Sequence, residues 1–154
     1  MTNIIDIRSD TVTIPCRQML DAILTAKVGD DFYKEDLTTL ELENYCKVFF
    51  KKEAALFVVS GTMGNQIAIR CHTNPGDEII LDKSYHINFY EAGATADLGK
   101  VSINLVSTPD GLLKKEHIKK AFFNKHRSNL SSYPSLLCLE NTIRGCLQFT
   151  LVTT

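Results

Sequence analysis

The chain has 154 residues, 44% apolar and 23% charged, with a formal net charge of −1. That length allows one domain at roughly 100–200 residues each, and the charge fraction argues against disordered and fibrous classes. The near-neutral balance leaves no basic surplus for a nucleic-acid partner. No apolar run reaches the ~20 residues of a membrane span. The opening MTNIIDIRSD lacks the basic, apolar and small-residue sections of a secretory signal.

In chain order, residues 1–15 are mixed and end in Pro15, an extended arm. Met19, Leu20, Ile23 and Leu24 have helical spacing, which predicts a helix over 17–27, stopped by Gly29. GDDFYKED is a polar loop carrying Phe32 and Tyr33. A second helix is expected from Thr38, with Leu40, Leu42, Tyr45, Val48 and Phe49 on its apolar side. AALFVVS is a continuous apolar run of strand length. GTMGNQIAIRCH follows as a helix with Thr62 as its N-cap and Ile67 and Cys71 on one face.

The alternation continues with a strand at DEIILD, a helix at NFYEAGATAD, a strand at VSINLVS, a helix at LKKEHIKKAFF and a strand at SLLCLE. Short apolar strands alternating with helices give an α/β fold, a mostly parallel sheet with helices on both faces. The expected division is an N-terminal arm over 1–15, an α/β body over 16–142 and an atypical tail over 143–154.

The five cysteines (Cys16, Cys46, Cys71, Cys138 and Cys146) are odd in number and contain no CxxC pair. They suit neither a disulfide framework nor a zinc site, and no metal is expected. Reduced, mostly buried thiols in a cytoplasmic protein are the expectation, with Cys138 in the core.

The richest local feature is VVSGTMGN, where an apolar strand meets a glycine and then a helix. Ligands of open α/β sheets bind outside the carboxyl ends of strands, and a helix N-terminus there offers unpaired N–H groups to a phosphate. Gly61 and Gly64 permit close approach, while Ser60 and Thr62 add hydroxyls. The spacing matches neither the dinucleotide nor the P-loop fingerprint, and a tight turn with an N-cap is the alternative. His86 lies beyond the strand 78–82, on the same rim, with Tyr85, Phe89, Tyr90 and Glu91 around it. An imidazole there could carry a proton or stack on a flat ring, or simply pack among the aromatics. His72 at a helix end reads as structural and His117 as solvated.

The arm DIRSDTVTIP, the loop VGDDFYKED, the run KKEAALFVVSGTMGNQIA, the segment SYHINFYEAGA and the strand LLCLENT occur in this order. Together they resemble the low-specificity L-threonine aldolases, in the β-eliminating lyase group of fold-type I pyridoxal-phosphate enzymes. The resemblance covers residues 4–142 and implies the N-terminal part of the large cofactor-binding domain. It implies that Gly61, Thr62 and the Met63 backbone hold the phosphate of pyridoxal 5′-phosphate. It further implies that His86 stacks on the pyridine ring and helps move protons, and that Ser9 touches the substrate carboxylate. Tyr33 and Glu91 would lie near the substrate, Tyr33 reaching in from a neighbouring subunit of a homotetramer. A second histidine of the family contacts the substrate hydroxyl, and His126 is the residue this sequence offers. The implied reaction is retro-aldol cleavage of threonine or allo-threonine to glycine and acetaldehyde, a step in amino acid metabolism. The partner is a small-molecule amino acid, with no nucleic acid or membrane. Another lyase of the group, acting on an aromatic or sulfur amino acid, is the alternative that RSDTVT and SGTMGNQ disfavour.

Two positions depart from the family pattern. Leu37 stands where a proline is usual, and after Glu140, Asn141 and Thr142 the chain reads IRGCLQFTLVTT. The family continues there toward an aspartate for the pyridinium nitrogen and the lysine that bonds the cofactor. No lysine here matches that position: Lys51 and Lys52 precede the strand at 54–59, and Lys83 has no family counterpart. The expectation is a frameshifted or prematurely ended chain. Such a chain would be catalytically silent, or at most a binding module for phosphate ligands.

Overall fold

The computed structural model describes residues 10–123 and 130–143. The chain divides into two compact units, Met1–Phe57 and Val58–Thr154. This division falls at the start of the VVSGTMGN segment.

In the first unit a 3-10 turn occupies Asp10–Val12, where an extended arm was expected. Helix α1 (Arg17–Thr25) carries an Arg17–Asp21 pair one turn apart and ends well before Gly29. Gly29 serves a different need: a Cβ there would collide with the Glu35 carbonyl group. The loop folds back on itself because the Asp30 carboxylate accepts the N–H groups of Phe32 and Tyr33, at 2.8 and 3.3 Å. Such aspartate turns stand in for a backbone turn.

Helix α2 (Leu37–Phe49) begins at Asp36, whose carboxylate accepts the Thr39 N–H at 2.9 Å. Leu37 is its first residue, a position that favours proline but tolerates others. Asp36→Ala should cost about 1 kcal/mol by leaving that N–H uncapped. A lower urea midpoint would show this, and an unchanged midpoint would show that the cap is idle. The apolar side chains of α1 (Met19, Leu20, Ile23 and Leu24) are all exposed.

The second unit is built on a parallel sheet ordered β2-β1-β3, with β1 at Glu78–Asp82, β2 at Ser102–Val106 and β3 at Pro134–Leu137. Every residue of the central strand is buried, as its unbroken EIILD run requires of a strand covered on both faces. Helix α3 (Gly61–His72) packs against β3, and α6 (Lys115–Phe123) against β2. The core joins Ile69, Ile79, Leu81, Tyr85, Val101 and Ile143. Ile143, assigned to the tail from sequence, is thus a core residue.

Four expectations change. AALFVVS forms no strand, because no ladder partner for it lies among the described residues, and Leu56, Phe57 and Val59 are exposed. The N-cap of α3 is Ser60, whose backbone is extended (φ −156°, ψ 155°), not Thr62. The buried stripe of α3 is Gln66 and Ile69, not Ile67 and Cys71. The helix expected over 88–97 is two short ones, α4 (His86–Phe89) and α5 (Ala94–Asp97), parted by Ala92 and Gly93 at φ 50° and 76°. Left-handed backbone cannot continue a right-handed helix, and the break turns Glu91 inward.

Cys16 and Cys71 are exposed rather than buried. Cys138 is half-buried and its thiol is pushed up to about 11 by burial. His117 is half-buried rather than solvated, its Nδ1 accepting the Lys114 N–H at 3.2 Å. Among the described residues no helix is long and apolar enough to cross a membrane.

Candidate functional site

The site lies within the second unit, at the N-terminus of α3 and the carboxyl ends of β1 and β3. Ser60 Oγ accepts the Met63 N–H at 3.1 Å, and the Gly64 N–H bonds the Ser60 carbonyl at 3.1 Å. Among the described residues the N–H groups of Gly61 and Thr62 have no hydrogen-bond partner, and they lie at the helix end, where the helix dipole is positive. Met63, expected to hold phosphate through its backbone, has that N–H engaged by Ser60. A Cβ on Gly61 would meet nothing within 4 Å, so the space beside Gly61 is open. Open room, two free N–H groups and the Thr62 hydroxyl suit a phosphate ester.

One turn into α3, Asn65 and Gln66 reach the carboxylate of Glu91. Asn65 Nδ2 donates to Oε1 at 2.6 Å and Gln66 Nε2 to Oε2 at 2.8 Å. Gln66 Nε2 also lies 3.1 Å from Thr95 Oγ1, while Gln66 Oε1 is buried without a partner among the described residues. His86 Nδ1 lies 2.9 Å from Glu91 Oε1. The Glu91 side chain is 0% exposed and the His86 side chain 50%. The imidazole therefore has one edge tied into the protein and half its surface free. Tyr90 sits beside it, ring centroids 5.4 Å apart and planes tilted by 41°.

The chain leaves β1 for β2 on one side and returns to β3 on the other. This brings the loops after β1 and β3 together, the kind of crevice where α/β sheets bind ligands. There the His86 N–H donates to Glu140 Oε2 at 2.5 Å. Beneath it Asp82, fully buried at the end of β1, accepts four hydrogen bonds. Ser84 gives its N–H (2.9 Å) and hydroxyl (2.6 Å), and Thr108 both of its own (2.9 Å each). Burial raises the Asp82 pKa, but these bonds together outweigh it and hold the group below its ordinary 3.8. Tyr85 is buried and donates its hydroxyl to the Gly111 carbonyl at 3.0 Å; burial, then the Asp82 charge, raises its pKa.

Gly61, Thr62, His86 and Glu91 thus come together in one unit. Glu91, expected beside the substrate, is buried with both oxygens engaged, so it reaches a ligand only through His86. Tyr33 belongs to the first unit, exposed on the Asp30 turn. Ser9, His126 and Cys146 lie outside the described residues. Sequence reasoning missed Asn65, Gln66, Asp82, Thr108 and Glu140. The available signal was the polar pair Asn65–Gln66 in the first half of α3, with Gln66 three residues before the buried Ile69.

The α/β fold with its parallel sheet is one that known proteins share. The model of the beta-eliminating lyase family matches residues 6–147, and the chain belongs to that family. It is 45% identical over 139 residues to an uncharacterized protein of Caenorhabditis elegans, covering 90% of this chain and 33% of that one. It is 39% identical over 144 residues to the low-specificity L-threonine aldolase of Eremothecium gossypii, covering 92% of this chain and 38% of that protein. Among solved structures, a threonine aldolase of Leishmania major is similar with a TM-score of 0.69 and 25% identity, over 82% of this chain and 36% of that one. The chain spans between 33% and 42% of the length of the curated relatives it matches.

Proposed function

We propose that these residues form the phosphate- and ring-holding part of a pyridoxal 5′-phosphate-dependent aldolase that cleaves L-threonine or L-allo-threonine to glycine and acetaldehyde. One observation carries the reading. Helix α3 presents free N–H groups at Gly61 and Thr62 and, one turn later, ties His86 in place through Asn65, Gln66 and Glu91. The phosphate donors on α3 and the half-exposed imidazole on α4 are thus linked through the Glu91 carboxylate.

Gly61, Thr62 and the Thr62 hydroxyl hold the phosphate in this reading, with Ser60 keeping the helix end capped. The cofactor, when bound, supplies a conjugated ring that takes up the electron pair released as the Cα–Cβ bond breaks. The open side of the His86 ring offers a surface for stacking and a nitrogen for proton movement. Motif position supports two further contacts, Ser9 with the substrate carboxylate and Tyr33 from a second subunit of a homo-oligomer; for the substrate hydroxyl the sequence offers His126, at a longer spacing from Glu140 than the family's.

A second reading, phosphate-ligand binding without turnover, is favoured by one observation. No lysine is bonded to Ser60, Asn65, Gln66, His86 or Glu91 among the described residues. Mixing the chain with pyridoxal phosphate and L-threonine separates the two. Acetaldehyde release, with a visible absorbance band that borohydride bleaches, supports the aldolase. Faster release of phenol from tyrosine or indole from tryptophan would reassign the substrate.

Ligand protection without band or turnover supports the binding module. A ligand at a hundredfold its Kd should stabilise by about 2.7 kcal/mol. Gly61→Val should fold normally, since its side chain enters open space, yet lose that protection. Equal protection of parent and variant would remove the phosphate from this helix end.

A further inference from the structure

We infer that Glu91 is a positioning residue that fixes the tautomer of His86, placing the imidazole proton on Nδ1 and leaving Nε2 as the basic atom that faces the ligand. This deepens the proposed reading of the site and rests on it for its meaning in catalysis, although the tautomer itself can be observed without cofactor or substrate.

Three geometric facts carry it. First, Glu91 Oε1 lies 2.9 Å from His86 Nδ1, and an ionised carboxylate can only accept, so the imidazole must donate there. Second, Glu91 cannot turn away. Its side chain is fully buried, and both its oxygens are already held, one by Asn65 Nδ2 at 2.6 Å and the other by Gln66 Nε2 at 2.8 Å. Third, the backbone of His86 is anchored independently, its N–H donating to Glu140 Oε2. The ring is thus held from the main chain and from one ring nitrogen, while half of its side-chain surface stays open. With one nitrogen committed as donor, the other is left as the acceptor, the same logic by which a partner on one ring atom sets the chemistry of the other.

The arrangement also couples the two ends of the site. Asn65 and Gln66 stand one turn beyond the Gly61 and Thr62 donors, so a ligand that orders the start of α3 also orders the acceptor of the His86 proton.

Gln66 Oε1, buried and without a partner among the described residues, makes one variant informative. In Glu91→Gln the new amide N–H would face Gln66, and a flip of the Gln66 amide supplies Oε1 as its acceptor. The glutamine carbonyl oxygen would still accept from His86 Nδ1. Glu91→Gln should therefore keep the tautomer, whereas Glu91→Ala, which offers no acceptor, should lose it.

The test is long-range 1H–15N correlation of the histidine side chains in the unliganded chain, at a pH where the imidazole is neutral, with His86 assigned by its His86→Gln variant. The expected result is an Nδ1–H signature for His86, retained in Glu91→Gln and replaced by Nε2–H or a mixture in Glu91→Ala. An Nε2–H signature in the parent overturns the proposal even if Glu91→Ala fails to fold. An unchanged Nδ1–H signature in a folded Glu91→Ala protein overturns it as well. Failure of acetaldehyde release with the tautomer intact would count against the aldolase reading alone.

Discussion

Replacing Glu91 with alanine is expected to destabilise the second unit by about 3 kcal/mol, while Glu91→Gln should cost roughly 1 kcal/mol. The carboxylate is 0% exposed and answers Asn65, Gln66 and His86 at once. Alanine would leave those donors facing a dry cavity. Gln66 keeps Thr95, and the exposed part of His86 can turn toward water, so the loss stays below the sum of three unmade bonds. Glutamine refills the volume and, with the Gln66 amide reversed, restores the bonds. Urea unfolding of both variants measures the difference. Equal midpoints would mean that neither the volume nor the acceptors restored by glutamine stabilise the unit.

Asp82→Ala should be at least as damaging, at about 3–5 kcal/mol, because it strips four hydrogen bonds from one fully buried carboxylate. Thr108 is itself buried and would be left with an N–H and a hydroxyl unpaired. The pH dependence follows from the direction of the shift. The folded pKa lies below the ordinary 3.8, so the Asp82 contribution is fully present above 3.8 and is lost as pH falls through the folded value. Asp82→Asn should flatten that acid limb. Cys138 acts at the other end. Its folded pKa is raised from 9.0 to about 11, so its contribution is full below 9.0 and is lost as pH rises through about 11. Urea midpoints measured across the acid range decide the first point. An acid limb identical in parent and Asp82→Asn would show that the carboxylate is not stabilised by its bonds.

Much of the architecture was legible because periodicity and burial agree. EIILD is apolar at its centre and wholly buried, and the helices at 37–49, 61–72 and 115–123 follow from their spacing. The VVSGTMGN segment was only half legible. Its glycine and hydroxyls announced a helix end. That Ser60 rather than Thr62 caps it depends on the extended φ and ψ of Ser60, which composition does not reveal. AALFVVS shows a different limit: an apolar run becomes a strand only beside a neighbour, and none lies among the described residues. His86 and Glu91 could be picked out individually. Their bond depends on the left-handed backbone of Ala92 and Gly93, which folds Glu91 back under the ring, and alanine gives no sign of that conformation. Glu140 is 54 positions from His86 in sequence and meets it only because β3 pairs beside β1.

The most direct measurement is a backbone amide titration of the chain with pyridoxine 5′-phosphate, which carries the ring and the phosphate but no aldehyde to react with lysines. The amides of Gly61 and Thr62 should shift most, Asn65 and Gln66 should follow, and the His86 side chain should respond as the ring stacks. All of these should stay still in Gly61→Val. Shifts scattered over surface lysines with Gly61, Thr62 and His86 unmoved would contradict a phosphate and ring site at the start of α3.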